Sequence, residues 1–144
     1  MRIVLLLALA AALAGCAKSS QEKAAASASA AAAAQNPASA SDGGAVYLAN
    51  CASCHQANGQ GVPGAFPPLA GNPAVTGNPV AVIAIVKGGL DGKISVNGRI
   101  YSGIMPRWRG VLSDDQIAAV VTYIRGSWKN QAPPVSLADV QSVK

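Results

Sequence analysis

The sequence contains few aromatic and few charged residues. One Phe, three Tyr and two Trp make up 4% of the 144 residues, and Asp, Glu, Lys and Arg together make up 12%. The formal net charge is +5, but the basic residues form no run and few aromatic side chains are available to stack on bases. Nucleic-acid binding is therefore not indicated. The scarcity of large side chains predicts that a large flat cofactor supplies part of the apolar core.

No apolar run is long enough to cross a membrane comfortably. Residues 3–13 form an apolar stretch after Arg2, which is typical of a secretory leader. The stretch ends in Leu-Ala-Gly-Cys, which resembles the lipobox of bacterial lipoproteins. That resemblance implies removal of residues 1–15, acylation of Cys16 and attachment to a membrane on the periplasmic side of the bacterial envelope. An ordinary leader that is cut nearby, with Cys16 as a bystander, is the alternative.

Residues 16–42 consist mainly of Ala and Ser and contain nothing that forms a core. We expect them to be a flexible tether with a reach of about 25–30 Å. Residues 43–130 mix apolar, polar and turn residues as a folded domain does. Residues 131–144, which include two adjacent prolines, are expected to form a C-terminal surface tail. The chain is therefore predicted to contain one small domain.

Two of the three cysteines lie in Cys51-Ala-Ser-Cys54-His55, the C-x-x-C-H signature of c-type haem attachment. Residues three apart on a helix share a face, so both sulfurs can form thioethers with one porphyrin while His55 ligates the iron. A thioredoxin-like pair needs a preceding strand, a structural zinc site needs four ligands, and a simple disulfide would leave His55 unexplained. We therefore predict one covalent haem c, attached at Cys51 and Cys54.

The sixth ligand of a haem iron separates electron transfer from ligand chemistry. His55 is the only histidine, so ligation by two histidines is excluded. Met105 is the only methionine after the leader, and its place in a loop between Gly103 and Pro106 favours an iron ligand over a core side chain. A lysine ligand or an open sixth position remain alternatives. A thioether ligand would favour ferrous iron and raise the reduction potential.

With these residues identified, residues 43 to about 128 resemble the class I cytochromes c. In that family a Gly and an aromatic residue precede the first haem cysteine, and Gly43 and Tyr47 match them. They pack against two residues of the last helix, which Val120 and Tyr123 match. The resemblance implies an all-α fold around one haem, and a one-electron carrier rather than an enzyme. A haem enzyme or ligand-binding haem protein with an open sixth site is the alternative function.

The same resemblance assigns residues beside the haem. The family has Pro-x-Leu after the haem motif, and the carbonyl of that proline accepts a hydrogen bond from the ligand histidine. Pro67 and Leu69 match, although Pro68 offers a second choice, and Tyr101 is also expected beside the haem. Through Val96-Asn97-Gly98, the stretch from Tyr101 to Pro106 and the Ser127-Trp128 ending, the sequence more closely resembles cytochromes attached to membrane dehydrogenases and terminal oxidases. This resemblance implies redox partners of that kind or a quinol-oxidising complex, and neither nucleic acid nor a small-molecule substrate.

Local signals predict the scaffold. Asp42 is expected to cap a helix running into Cys51, and Asn78 a helix over residues 80–87 that stops at two glycines. Residues 113–116 form a capping box before the last helix, and Asn97-Gly98 predicts a short hairpin before the Met105 loop. Basic residues dominate between positions 87 and 109, where Asp91 is the single acidic residue. The basic residues are Lys87, Lys93, Arg99, Arg107 and Arg109. They would attract acidic partners to the haem side, or simply keep the domain soluble.

Overall fold

Helices carry most of the regular structure in residues 40–144, the part of the chain that the computed structural model describes; side chains are described from residue 43 onwards. The predicted leader, Cys16 and most of the predicted tether lie outside the described residues. The elements in chain order are α1 Ala40–Asn50, α2 Ala52–His55, α3 Pro73–Thr76, α4 Pro79–Gly88, β1 Ile94–Val96, β2 Arg99–Tyr101, α5 Asp114–Gly126 and α6 Leu137–Ser142. No helix within residues 40–144 has the length and apolar character that a bilayer span requires.

The first and last long helices, α1 and α5, cross almost in contact. A Cβ added to Gly43 would lie 2.2 Å from the carbonyl oxygen of Ala119, so only glycine permits this approach. Tyr47, which is fully buried, packs with its ring centroid 5.5 Å from that of Tyr123 and 5.0 Å from that of Trp128. We call these five residues the helix crossing. Helix α1 begins at Ala40, so Asp42 lies inside the helix and is not its cap.

Helix α5 begins as its sequence predicts. The Ser113 hydroxyl accepts a hydrogen bond from the Gln116 amide at 3.2 Å, and the Gln116 side chain accepts one from the Ser113 amide at 3.0 Å. This reciprocal pair satisfies two amides that the first helical turn leaves without partners. The helix then buries an apolar face at helical spacing, formed by Ile117, Val120, Val121 and Ile124.

Helix α4 and the hairpin also form where local sequence signals predict them. The Asn78 side chain accepts a hydrogen bond from the Val80 amide at 3.0 Å, and the helix ends where Gly89 adopts a positive φ of 76°. Strands β1 and β2 pair antiparallel, with Ile94 opposite Tyr101. The two residues between the strands form the predicted turn, and the hairpin leads directly into the loop that carries Met105.

The prediction that residues 131–144 form a surface tail is wrong. Val135, Val140 and Val143 are 1%, 0% and 9% exposed, and they belong to the same core cluster as Tyr47 and Ile117. Helix α5 ends at Gly126, and Pro133 and Pro134 follow several residues later. The chain then turns back, and α6 packs on α4 and α5. Burial of the apolar residues after the prolines stabilises the packed segment, even though many of the residues around them are polar. Residues 131–144 are therefore part of the folded domain.

Candidate haem-binding cavity

An apolar cavity of about 330 Å³ lies between α2, α4, the hairpin and α5. Aliphatic side chains from three helices form much of its wall, including Val75, Val82, Val86, Val120 and Ile124. The seven cavity-facing residues that the sequence singled out all line it: Cys51, Cys54, His55, Pro67, Leu69, Tyr101 and Met105. A large apolar ligand that meets a few polar or sulfur atoms suits such a lining.

His55 is the last residue of α2 and is 8% exposed. Its Nδ1 donates a hydrogen bond to the carbonyl oxygen of Pro67 at 3.0 Å, because a carbonyl can only accept. This fixes the tautomer and leaves Nε2 with a free lone pair. Burial lowers the pKa of His55, and the hydrogen bond to Pro67 opposes that shift only in part. The Pro68 carbonyl instead accepts from the side chain of Asn72 at 2.9 Å.

The two cysteines lie on one helical turn. The amides of Cys54 and His55 both donate to the carbonyl oxygen of Cys51, at 3.2 and 2.9 Å. Burial, and secondarily the neighbouring Cys54, raises the pKa of the Cys51 thiol to about 11. A reactive redox thiol has a lowered pKa, so this environment does not suit a thioredoxin-like pair. Within the described residues, no three His, Cys, Asp or Glu side chains converge as in a metal-ion site.

Side chains of the helix crossing hold the loop that follows His55. The Tyr47 hydroxyl donates to the Gln56 carbonyl at 2.6 Å, and the indole nitrogen of Trp128 donates to the Ala57 carbonyl at 3.2 Å. Asn130, which is 4% exposed, donates to the carbonyls of Leu69 at 3.0 Å and Ile124 at 2.9 Å. Sequence reasoning missed Asn130, since a single Asn after a helix carries no signal of burial.

Met105 enters the cavity from a separate segment, residues 89–109, which we call the Met105 wall. Its amide donates to the Leu90 carbonyl at 2.9 Å, and the Leu90 amide donates back at 3.0 Å. The Trp108 amide donates to the Val86 carbonyl at 3.1 Å, so the wall is attached to the end of α4. Gly103 lies against the loop after α2, where an added Cβ would be 2.4 Å from the Ala65 carbonyl oxygen.

The basic residues of this region differ in exposure. Lys93, Arg99, Arg107 and Arg109 are exposed, as expected of a basic surface. Lys87 is only 6% exposed and donates to two backbone carbonyls of the C-terminal segment. The prediction that it belongs to the basic surface is therefore wrong. Arg125 is a second buried cation, 3% exposed, which sequence reasoning missed. Its guanidinium donates to the carbonyls of Val75, Gly77 and Pro133, and burial lowers its pKa.

A helical fold around an apolar cavity, with two thiols and a buried imidazole on its wall, is typical of small proteins that hold a large cofactor covalently. Comparison with known proteins identifies the family. A model of the family described as cytochrome c matches residues 40–128, and the chain belongs to that family. It therefore carries haem c, bound covalently. The predicted resemblance to class I c-type cytochromes, the all-α fold with a hairpin and the cofactor are confirmed.

Three relatives show the range of this similarity. Cytochrome c-552 of Thermus thermophilus is 46% identical over 92 residues, which cover 61% of this chain and 69% of that protein. The cytochrome c subunit of the quinone alcohol dehydrogenase of Gluconobacter oxydans strain 621H is 42% identical over 105 residues, covering 71% of this chain but 22% of the subunit. Cytochrome c6 of Leptolyngbya boryana is 39% identical over 87 residues, covering 60% of this chain and 91% of that protein.

Proposed function

We propose that this cytochrome is a one-electron carrier whose haem is attached at Cys51 and Cys54, with His55 and Met105 as the axial ligands. The observation that carries the proposal is that all four side chains line one apolar cavity. The cavity wall supplies two sulfur atoms, an imidazole with a fixed tautomer and a thioether, which are the donors that a His/Met-ligated c-type haem requires. When bound, haem supplies the one-electron couple of ferric and ferrous iron.

The residues of this chain orient the ligands and exclude water. Pro67 holds the His55 ring through its carbonyl, which makes the imidazole a better donor. Leu69 and Tyr101 line the cavity, and Tyr101 is 5% exposed, so they would cover the porphyrin faces and keep water away from the iron. With two protein ligands in place, little has to move when the iron changes charge, and no substrate site is required.

Electron partners would be membrane complexes on the outer side of the cytoplasmic membrane. Relatives of this chain include cytochrome subunits of alcohol, gluconate and fructose dehydrogenases, which favours a dehydrogenase or respiratory chain. Arg99 and Arg107 are exposed and are close in the sequence to Ile104, an exposed residue of the cavity lining. They suit an acidic docking surface, and association should slow as salt concentration rises.

The proposed chain organisation comprises a leader at residues 1–15, a lipidated Cys16, a tether and the haem domain. Acyl chains on Cys16 would hold the domain on the periplasmic face of a membrane. Cys16→Ser should move the cytochrome from the membrane fraction to the soluble fraction without changing its spectrum. A haem protein that stays in the membrane fraction after this substitution would contradict the lipid anchor.

Optical spectra of the full chain, matured with haem, test the ligand set. We expect a far-red Met–iron charge-transfer band in the oxidised protein and no spectral change when carbon monoxide is added to the reduced protein. Met105→Leu should abolish the band and admit carbon monoxide, while Ile104→Leu, its neighbour on the same loop, should behave like the wild type. A wild-type protein that lacks the band and binds carbon monoxide promptly would favour the alternative, a ligand-binding or catalytic haem.

A further inference from the structure

Lys87 is a buried cation that the electron-transfer proposal leaves unused. Its ammonium group donates to the carbonyl oxygens of Val140 at 2.9 Å and Val143 at 2.7 Å, at the end of α6. It also lies 3.6 Å from the carboxylate of Asp114. Lysine is rarely buried unless it is paired, and the last carbonyls of a helix have no partners within the helix. The contact is therefore a specific link between α4 and the C-terminal segment.

The backbone at the same end of α4 holds the Met105 wall. The carbonyl of Lys87 accepts a hydrogen bond from the Arg109 amide at 3.2 Å, and the preceding carbonyl, of Val86, accepts from the Trp108 amide. The next turn brings Leu90 into its reciprocal pair with Met105. Lys87 thus holds two segments on the end of α4. Its side chain holds the C-terminal segment, and its backbone holds the Met105 wall.

The segment that Lys87 reaches lies beyond the residues that the family model matches. The family match ends at residue 128, yet Val135, Val140 and Val143 beyond it are buried in the core. Thr122 exchanges two hydrogen bonds with the backbone of Val135, at 3.2 and 3.0 Å, which fixes the start of the segment on α5. Its two ends are therefore held on different helices, α5 and α4.

We propose that residues 135–144 act as a strap that, through Lys87, holds the Met105 loop against the haem. Lys87 is a positioning residue for the proposed sixth ligand, and this inference rests on the proposed ligation by Met105. If the strap is released, the end of α4 and the attached loop should move more freely. Met105 would then give way more readily to a competing ligand.

Imidazole added to the oxidised full-length cytochrome measures this directly, because it competes for the sixth position. Lys87→Gln should increase the apparent affinity for imidazole about tenfold, since the strap contact comprises two charge-assisted hydrogen bonds. A chain ending at Val135 removes the acceptor carbonyls and should give a similar increase. Combining both changes should add little, because each breaks the same link.

Two controls separate positioning from general destabilisation. Lys93→Gln removes an exposed lysine next to the hairpin and should leave imidazole affinity unchanged. Gly43→Ala lowers global stability at the helix crossing and should also leave that affinity unchanged. If the wild type shows the Met–iron band but Lys87→Gln binds imidazole no better than Lys93→Gln, the strap is wrong and Met105 ligation stands. Absence of the band in the wild type would instead overturn the ligand set itself, and the strap with it.

Discussion

The helix crossing and the Met105 wall are stabilised in different ways. In the helix crossing, the chain's own side chains fill the space: Gly43 lies on Ala119, and three rings pack with centroids 5.0 to 5.7 Å apart. The Met105 wall has only two three-residue strands and a few backbone hydrogen bonds, and most of its apolar side chains line the cavity. The helix crossing is complete within the protein, whereas the Met105 wall depends on the haem for part of its packing.

This difference has a physical basis in what each region buries. Aromatic pairs such as those of Tyr47 contribute about 0.5–1.5 kcal/mol each beyond their burial. In the Met105 wall, residues such as Leu90, Ile94 and Trp108 face the cavity and lose apolar contact when the haem is absent. Part of their contribution to folding therefore requires the haem.

Removal of the haem should produce the largest effect and should separate the two regions. Cys51→Ser combined with Cys54→Ser prevents both thioether bonds. We expect hydrogen exchange of the backbone amides to become fast throughout residues 89–109, while amides of α1 and α5 keep part of their protection. Ser53→Ala, an exposed change inside the motif, should leave haem attachment and exchange as in the wild type. Equal loss of protection in both regions would contradict the comparison.

Gly43→Ala should give the next largest effect, at the helix crossing. The added methyl group would meet the Ala119 backbone at 2.2 Å, so the helices must separate, at a cost of about 3 kcal/mol in unfolding free energy. Gly44→Ala is the matched control, because its Cβ meets only the Tyr123 ring at 3.3 Å and alanine favours a helix. Denaturant unfolding of the holoprotein measures both. Equal stabilities of the two variants would mean that the crossing tolerates a wider spacing.

Gly89→Ala applies the same test to the Met105 wall. Gly89 has φ of +76°, and a Cβ there would lie 2.7 Å from the Met105 carbonyl oxygen. We expect a loss of about 2 kcal/mol in unfolding free energy and a weakened Met–iron band, because the clash displaces the ligand loop. Gly92→Ala keeps the positive φ but meets no atom within 4 Å, so it should lower stability without weakening the band. An unchanged band in Gly89→Ala would show that the wall is as firmly fixed as the helix crossing.

The parts of the fold that follow from local chemistry were predictable from the sequence. The capping box at Ser113, the turn at Asn97-Gly98 and the stop at Gly89 each depend on residues close together in the chain. The haem motif is also local, and the family match supports the cofactor that it predicted.

The contacts that sequence reasoning missed join distant segments. Lys87 reaches carbonyls 53 and 56 positions away, and Arg125 reaches the carbonyl of Val75, 50 positions away. The sequence does not distinguish a buried lysine or arginine from an exposed one. The partners here are backbone carbonyls, which every residue has, so no particular residue type marks them in the sequence. The C-terminal strap was missed for a related reason: its prolines suggested an end to the fold, while Ser136 and Asp139 already marked a new helix start.

Acidification should have the smallest effect on amide protection. It tests the strap, which lies outside both the helix crossing and the Met105 wall. Hydrogen bonds from the Ser136 hydroxyl and amide lower the pKa of the exposed Asp139 carboxyl. A carboxyl with a lowered pKa in the folded state stabilises that state fully above its ordinary pKa. The contribution is lost as pH falls through the lowered value. Amide exchange of Val140 should therefore accelerate, relative to the α1 amides, as the solution becomes acidic below about pH 4.

Asp139→Asn should remove this acid dependence of Val140 protection and leave the α1 amides unaffected. Asp91→Asn, which removes an exposed carboxylate from the Met105 wall instead, should keep the wild-type behaviour of Val140. If the strap holds the Met105 loop, the affinity of the oxidised wild type for neutral imidazole, corrected for protonation of the free ligand, should rise relative to that of Asp139→Asn as Val140 exchange accelerates. Acid-induced exchange at Val140 with a constant imidazole affinity would show that this helix start frays without reaching the Lys87 link, because Val143 alone then suffices to hold the ammonium group.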